Sequence, residues 1–538
     1  MTNSIDDIAT QAKAFLVIGS NTTEQHPVIG MRLRQATKRG AKLILADPRD
    51  IPLKDFAVLH LKHRPGSDIA LLNAIMNVLI EEDLYDKDFV ATRTEGFEDL
   101  KAAVAKYTPE YAETITTVPA KDIREAAHIL AASKPASLLY AMGITQHSKG
   151  HQNVLSCCNL QMLLGNMGVA GGGVNPLRGQ NNVQGACDMG CLPNVYPAYQ
   201  QVANEEIRAK FVEAWGNTAG LKPGLTVVEM LNAIDSNSLR ALYVVGENPF
   251  MSDPDQNHVK KALASIEFLV VQEIFISETA EYAHVILPGA SFAEKEGTVT
   301  NTERRVQRMR KVIEPLGNAR PDWQITAEIA KRVEARLGLD RSKGKFTSWD
   351  YAEPQQIMTE VNAVTPSYGG ITYDRIENVG LQWPCPNTEH PGTQFLHAGK
   401  FTRGLGKFHG IEWTPAKEVP DEKYPFVLTT GRVLYHFHGG NMSRHSPGLD
   451  AIYPEALVEI NTQDASRLGV ADGDMVRVSS RRGQLVAKAD VSGKTDPGVV
   501  FMTFHFKEAA ANILTIAALD PVSKIPEYKV AAVALEKV

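Results

Sequence analysis

One pattern occurs twice in this sequence. FLVIGSN (15–21) and LYVVGEN (242–248) are each a short apolar run that breaks into Gly-x-Asn. In each copy an acid stands at the tip of the next apolar run. Asp47 follows Gly19 by 28 residues, and Glu273 follows Gly246 by 27. A third run then closes on Pro-Gly, as HLKHRPG (60–66) and HVILPG (284–289). Apolar runs alternating with helical stretches predict parallel, doubly wound sheets. A repeat at this scale constrains the architecture more than any single motif. In such units the backbone amides of the first loop and helix start hold phosphate, and the acid at the next strand tip binds ribose hydroxyls. Neither copy has GxGxxG, so an NAD site is disfavoured. A lone Gly-x-Asn is often only a turn; two copies with matched acids point to two bound nucleotides.

The rest of the chain divides around this repeat. SLLYAMGITQH (137–147) adds a fourth strand to the first copy, and a helix opens near Asp68. Residues 293–311, AEKEGTVTNTERRVQRMRK, are charged without a clear apolar face and read as a solvated or inter-domain segment. DWQITAEIAKRVEARLG (322–338) is an amphipathic helix, and the Pro-, Gly- and His-rich stretch 385–421 reads as a linker. From 424 the pattern turns to β: PFVLTTGRV, ALVEINT, DMVRVSSRRGQLVAKADV and GVVFMTFHF, separated by Asp-Gly, Arg-Gly and Pro-Gly turns. The expected fold is α/β, with two doubly wound dinucleotide-binding units followed by a C-terminal β-barrel. The expected domains are 1–180, 181–292, an irregular or helical segment 293–422, and the barrel 423–538.

Composition bounds the class. The 538 residues are 43% hydrophobic and 22% charged, enough for several cores. A net charge of −6 with no basic block argues against nucleic acid. LLNAIMNVLI (71–80), the longest apolar stretch, is broken by Asn73 and Asn77 and reads as a core helix, not a membrane span. MTNSIDDIATQ has no signal-peptide pattern. Five cysteines, with Cys187 and Cys191 lacking a second pair at metal-binding spacing, read as reduced structural thiols and suggest a cytoplasmic chain.

Residues 174–190, VNPLRGQNNVQGACDMG, concentrate hydrogen-bonding side chains with little apolar filling. They directly follow LLGNMGVAGGGV. A surface turn cluster is the plain reading. Two glycine- and amide-rich segments in succession are costly to order without a ligand, which favours a binding loop. Together with TGRVLYHFH (430–438), INTQDASRLG (460–469), TFHFKEAAAN (503–512) and KIPEYKV (524–530), the RGQNNVQGACDMG run resembles the large subunit of molybdopterin-dependent formate dehydrogenases. These belong to the bis-molybdopterin guanine dinucleotide oxidoreductases.

The resemblance implies a catalytic role for Arg178, whose fork suits the two oxygens of formate. It implies contacts to a first dinucleotide from Gly19, Asn21, Asp47, Arg49, Gly66, Asp68, Met142 and Gln146, with Gln180 near a pterin. It implies contacts to a second from Gly246, Glu247, Gln272, Asp322, Arg432 and His436. The barrel is expected to contribute Asn512, Tyr528 and Lys529 to cofactor binding. His26, His147 and His438 are expected behind these contacts. The implied metal is molybdenum or tungsten, the implied reaction is oxidation of formate to CO2, and the implied partner is an electron-transfer subunit with iron–sulfur clusters. Another oxyanion oxidoreductase, or a non-catalytic cofactor-binding or assembly chain, is the alternative.

The sequence departs from the family at one point. Relatives carry a cysteine-rich [4Fe-4S] segment and a Cys or selenocysteine metal ligand followed by His, and no stretch here matches these. The expectation is that the chain is the downstream part of a longer subunit, as when a selenocysteine UGA codon is read as stop. Such a chain alone is expected to be inactive and prone to aggregate. An upstream export signal stays open.

Overall fold

The computed structural model describes residues 1–216 and 222–538, which fall into two compact units. One comprises 1–179, 249–260 and 395–538; the other comprises 180–248 and 261–394.

The first unit contains a five-stranded parallel sheet. Its order is Leu59–Leu61, Lys42–Ala46, Ala14–Ile18, Ala136–Tyr140, Val174–Pro176. Ala14–Ile18 and Ala136–Tyr140 are buried at every residue. Helices cover both faces, so these strands read as unbroken apolar runs. Leu16, Ile18, Ile44 and Leu138 pack into one core with the helices Asp68–Glu81, Ala120–Ala132 and Gly150–Leu163. Phe15, Val17, Leu43 and Leu45 pack into another with Pro27–Lys38. Asp68–Glu81 is buried from Asp68 to Ile80, so it is apolar all round. The two asparagines within it are not defects: Asn73 donates to Ile411 O at 2.7 Å and Asn77 to Val104 O at 3.2 Å.

The same unit holds a closed six-stranded barrel. Its strands run Phe426–Gly431, Val499–Thr503, Leu457–Asn461, Gln484–Ser492, Met475–Ser479 and Ala531–Lys537, and the last pairs back with the first. Closure removes the free edges an open sheet would leave. The stretch expected as a linker is partly a packed strap. Phe401 and Phe408 are buried in the first core, and Gly406–Lys407 pairs with Thr94–Glu95.

The second unit carries a three-stranded parallel sheet, Val285–Pro288, Phe268–Glu273, Ala241–Val245. The repeat holds at atomic detail. Gly19 and Gly246 adopt φ of 58° and 61°. Each amide bonds the carbonyl at the tip of the neighbouring strand, Gly19 to Ala46 at 3.0 Å and Gly246 to Gln272 at 2.9 Å. Left-handed φ after a strand is the reason both copies have glycine there.

Residues 293–311 are not a solvated segment. They form an antiparallel hairpin, Gly297–Thr300 with Arg305–Met309, joined by Leu381–Gln382. Val306 is fully buried, and Arg304 at the turn is 1% exposed. Arg304 donates to the carbonyls of Trp383, Thr393 and Gln394. Charge here is spent on internal hydrogen bonds, which hydropathy does not register. Among the described residues no helix is long and apolar enough to cross a membrane.

Candidate functional site

The carboxyl ends of the first unit's strands open into a cleft that the barrel helps to wall. Gly19, Asn21 and His26 come from the loop after the central strand, Asp47 and Arg49 from the next tip, and His63, Gly66 and Asp68 from the third. Met142, Gly143 and His147 follow the fourth strand, and the barrel supplies Thr429–Arg432, Phe501 and Lys529. The space inside, counting its open mouth, is about 810 Å³. The first loop lies hard against Gly143: a Cβ on Gly19 would sit 2.8 Å from the Gly143 backbone, and one on Gly143 2.5 Å from Gly19 Cα. Both glycines are fixed by this contact.

The cleft is rich in cations. Arg49 forms a two-pronged pair with Glu459, Nε to Oε2 at 3.0 Å and Nη2 to Oε1 at 2.6 Å, and stacks 3.5 Å above the Phe501 ring. Arg432 makes no ion pair among the described residues, and burial holds its pKa down. Burial and the Arg432 charge press Lys529 down to about 7; Arg49 adds to this and Asp47 opposes it. His26 falls to about 4 through burial and Arg432. Burial raises the Asp47 carboxyl against the pull of Arg49, His63 and Lys529.

Several polar atoms here have no protein partner. Asn21 Oδ1, Gln25 Nε2 and His26 Nε2 are buried without a hydrogen bond. Asn21 stands at the cap position of the short helix Thr22–Gln25 without capping it. A buried group left in this state is expensive, and its natural remedy is a ligand. The repeat makes a useful contrast. The equivalent Asn248 is satisfied internally, donating to Glu278 at 2.8 Å and accepting from Thr279 Oγ1 at 2.7 Å. Excess cations and orphaned polar atoms suit an anionic ligand rich in heteroatoms. The diphosphate of a pterin dinucleotide meets that description.

The structure gathers seven of the residues expected for the first dinucleotide, Gly19, Asn21, Asp47, Arg49, Gly66, Asp68 and Met142, around this cleft. Gln146 is not among its walls; its carbonyl accepts from Tyr528 N at 3.1 Å. Arg432, expected at the second dinucleotide, and Lys529, expected from the barrel, line the same cleft as the first set. His436 is buried elsewhere in the barrel region, bonded through Nδ1 to Ser443 and through Nε2 to the Tyr453 carbonyl. Asn512 and Tyr528 donate to the backbone of Met251 and Ser252. In the second unit, Gly246, Gln272 and Asp322 come together: Gln272 Nε2 donates to Asp322 Oδ1 at 2.6 Å, and Asp322 also pairs with Lys295. Glu247 accepts from Asn248 N at 2.9 Å.

Arg178 is half-buried one residue beyond Leu177, whose amide bonds Tyr140 O at 2.8 Å. It stands close enough to Tyr140 for its charge to act on the hydroxyl, which burial raises and Arg178 opposes. A Cβ on Gly179 would lie 2.9 Å from Arg432 Nη2. That contact sets the Arg178–Gly179 backbone beside the cation at the edge of the cleft. Gln180 begins the second unit.

Sequence reasoning missed His63, Gln25, Thr430 and Phe501 as walls of the cleft. His63 had a signal, since it lies in the HLKHRPG loop that closes the third strand. Phe501 had none, because its place depends on barrel closure.

Comparison with known proteins agrees with this geometry. The Molybdopterin oxidoreductase family matches residues 1–332, and the Molydopterin dinucleotide binding domain matches 426–532. The F420-dependent formate dehydrogenase subunit alpha of Methanocaldococcus jannaschii is 48% identical over all of this chain and 78% of its own length. Formate dehydrogenase H of Escherichia coli is 40% identical over all of this chain and 74% of its own length. Acetylene hydratase from Pelobacter acetylenicus shares the fold, with a TM-score of 0.78 at 20% identity, over all of this chain and 79% of that one. The chain belongs to the molybdopterin oxidoreductase family.

Proposed function

We propose that this chain is the catalytic, or alpha, subunit of a formate dehydrogenase, with formate held by Arg178. The observation that carries the proposal is the seat of Gly179 against Arg432, which sets Arg178 beside the cationic cleft. Identities of 40–48% to formate dehydrogenases support it. A bis-molybdopterin guanine dinucleotide bearing molybdenum or tungsten would supply the two-electron acceptor.

The chain's own residues bind and orient. Arg49, Arg432 and Lys529 neutralise a diphosphate, Asn21 and His26 gain partners, and Asp47 is placed for ribose hydroxyls. Arg178 presents two parallel N–H donors to the two oxygens of formate, which fixes the direction of its C–H bond. Lysine keeps the charge and loses the fork. The reaction releases CO2, one proton and two electrons. The electrons pass to a partner subunit with iron–sulfur clusters. The metal's Cys or selenocysteine ligand and a [4Fe-4S] cluster are assigned to polypeptide outside these 538 residues, and reading the DNA upstream of Met1 in frame tests that assignment.

The test of substrate is kinetic. In the assembled enzyme, Arg178→Lys should lower kcat/KM for formate by about 10–150-fold, the range of one charge-assisted hydrogen bond. Unchanged formate turnover in this variant, or faster turnover of nitrate than formate by the parent, would sink the proposal.

A further inference from the structure

Not every polar side chain of VNPLRGQNNVQGACDMG is turned toward a ligand. Asn175 is fully buried; it accepts from Asn3 N at 3.1 Å and donates to Ser137 Oγ at 2.8 Å and Gly172 O at 3.0 Å. These bonds tie the start of the run to the first unit's sheet. The end of the run is tied within the second unit. Asn182 Oδ1 accepts from Thr300 N at 2.8 Å. It folds so closely over its own helix, Val183–Asp188, that a Cβ on Gly185 would sit 2.2 Å from it. Asp188 ends that helix and is 1% exposed. Its Oδ2 accepts from the Tyr368 hydroxyl at 2.6 Å, and its Oδ1 from Gln184 Nε2 and the Tyr199 hydroxyl, each at 2.8 Å. The Tyr368 and Thr300 hydroxyls lie 3.0 Å apart, so the Asn182 and Asp188 anchors form one knot.

This knot needs a carboxylate. Three donors converge on Asp188, and a carboxylate accepts at both ends where an amide accepts at one. Burial raises the Asp188 carboxyl, and the bonds from Tyr368, Gln184 and Tyr199 oppose that rise. Ala198 and Tyr199 hold φ of 61° and 57°, a strained conformation for residues with a Cβ. That turn carries the Tyr199 hydroxyl to Asp188. The polar residues of the run therefore divide by task. Asn175, Asn182, Gln184 and Asp188 anchor it; between the anchors, Arg178 and Gln180 are half-buried and Asn181 is exposed.

We propose that Asp188 is a positioning residue for formate: its buried knot fixes the far end of the segment 178–182 and so the aim of the Arg178 fork. This rests on the formate reading above. A fork holds a planar carboxylate in one direction only while its own backbone is fixed, and a displacement of about 1 Å is enough to cost about 100-fold in rate.

The test is a double-mutant cycle in the assembled enzyme. Asp188→Asn keeps the shape but turns an amide N–H2 toward a donor. It should lower kcat/KM for formate about fivefold or more, chiefly by raising KM. In an Arg178→Lys background the same change should cost less than about twofold, because the fork it aims is already gone. A general packing defect would instead reduce the amount of active enzyme, lowering apparent kcat with KM unmoved. Tyr368→Phe, which removes the donor to Oδ2 and the link to Thr300, serves if Asp188→Asn does not fold. Hydrogen exchange of the cofactor-free 538-residue chain reads the anchor without activity: amides of 180–188 should exchange about tenfold faster in either variant, with those of Ala14–Ile18 unchanged. Arg178→Lys without effect on formate turnover would overturn the formate reading and this inference with it. An effective Arg178→Lys with KM unmoved by both knot variants, or with additive losses, would overturn the role of Asp188 alone. Unchanged exchange across 180–188 in both variants would overturn the anchor itself.

Discussion

Lys529→Met should make the empty chain more stable while weakening its grip on a diphosphate. Lys529 lines the cleft, donates to Thr430 O, and faces Arg432 and Arg49 with only Asp47 to help it. Its pKa falls from 10.5 to about 7. At about 1.36 kcal/mol per unit, this corresponds to about 5 kcal/mol against the ammonium form. The side chain is partly open to the interior of the cleft, so about half of that is a fair figure, about 2–3 kcal/mol. The sign follows from proton linkage. The folded pKa lies below the unfolded one, so the unfolded chain holds more protons between pH 7 and 10.5. The penalty is therefore complete below pH 7 and fades as the pH approaches 10.5. Methionine fills similar volume without charge. Urea unfolding of the cofactor-free chain should show the variant about 2–3 kcal/mol more stable at pH 6 and nearly equal to the parent at pH 10. GDP-mannose, a diphosphate diester that does not titrate near neutrality, should bind the variant about 10–100-fold more weakly at pH 6.5. Parent affinity should fall by up to about tenfold per pH unit from 7 to 8.5, and Lys529→Arg should flatten that slope. A variant equally destabilised at both pH values, or parent affinity flat across the range, would refute the reasoning.

Other perturbations test other parts of the framework. Glu459→Ala leaves Arg49 unpaired beside Arg432 and Lys529 and should cost about 3–5 kcal/mol in urea unfolding, less in 1 M salt. Gly19→Ala should abolish GDP-mannose binding and lower Tm, because its Cβ meets the Gly143 backbone at 2.8–2.9 Å and φ is 58°. Arg304→Met strands three carbonyls and should cost about 3 kcal/mol or more, with hydrogen-exchange protection lost first around 297–309.

Burial on both faces made the first sheet legible. Ala14–Ile18 and Ala136–Tyr140 have no solvent side, so their sequences carry no polar interruption. The Gly19 and Gly246 turns were legible for a different reason: φ near +60° leaves few alternatives to glycine. The hairpin 297–309 was not legible, because its stability rests on Arg304 feeding backbone carbonyls and Arg308 stacking 4.0 Å over Tyr373. The closing strand Ala531–Lys537 was overshadowed by the polar KIPEYKV segment just before it. The grouping of Arg432 and Lys529 was beyond sequence reading altogether. Both belong to the barrel, and their distance to Asp47 along the chain says nothing of their distance in space. Only closure of Phe426–Gly431 against Ala531–Lys537 brings them together at the cleft.

That closure sets a timetable for biogenesis. The strand-tip walls of the cleft are synthesised by His147, but its last cation is Lys529, and Arg49 waits for Glu459. At about 5–20 residues per second, the gap from 147 to 529 is roughly 20–75 s of translation. Throughout it, the nascent first domain exposes a half-built anion site and the cores of an unfinished unit. The cleft can close around a ligand only after Lys529 has been made, so its filling follows synthesis of the barrel. For about a minute of each synthesis, this protein depends on whatever shields it.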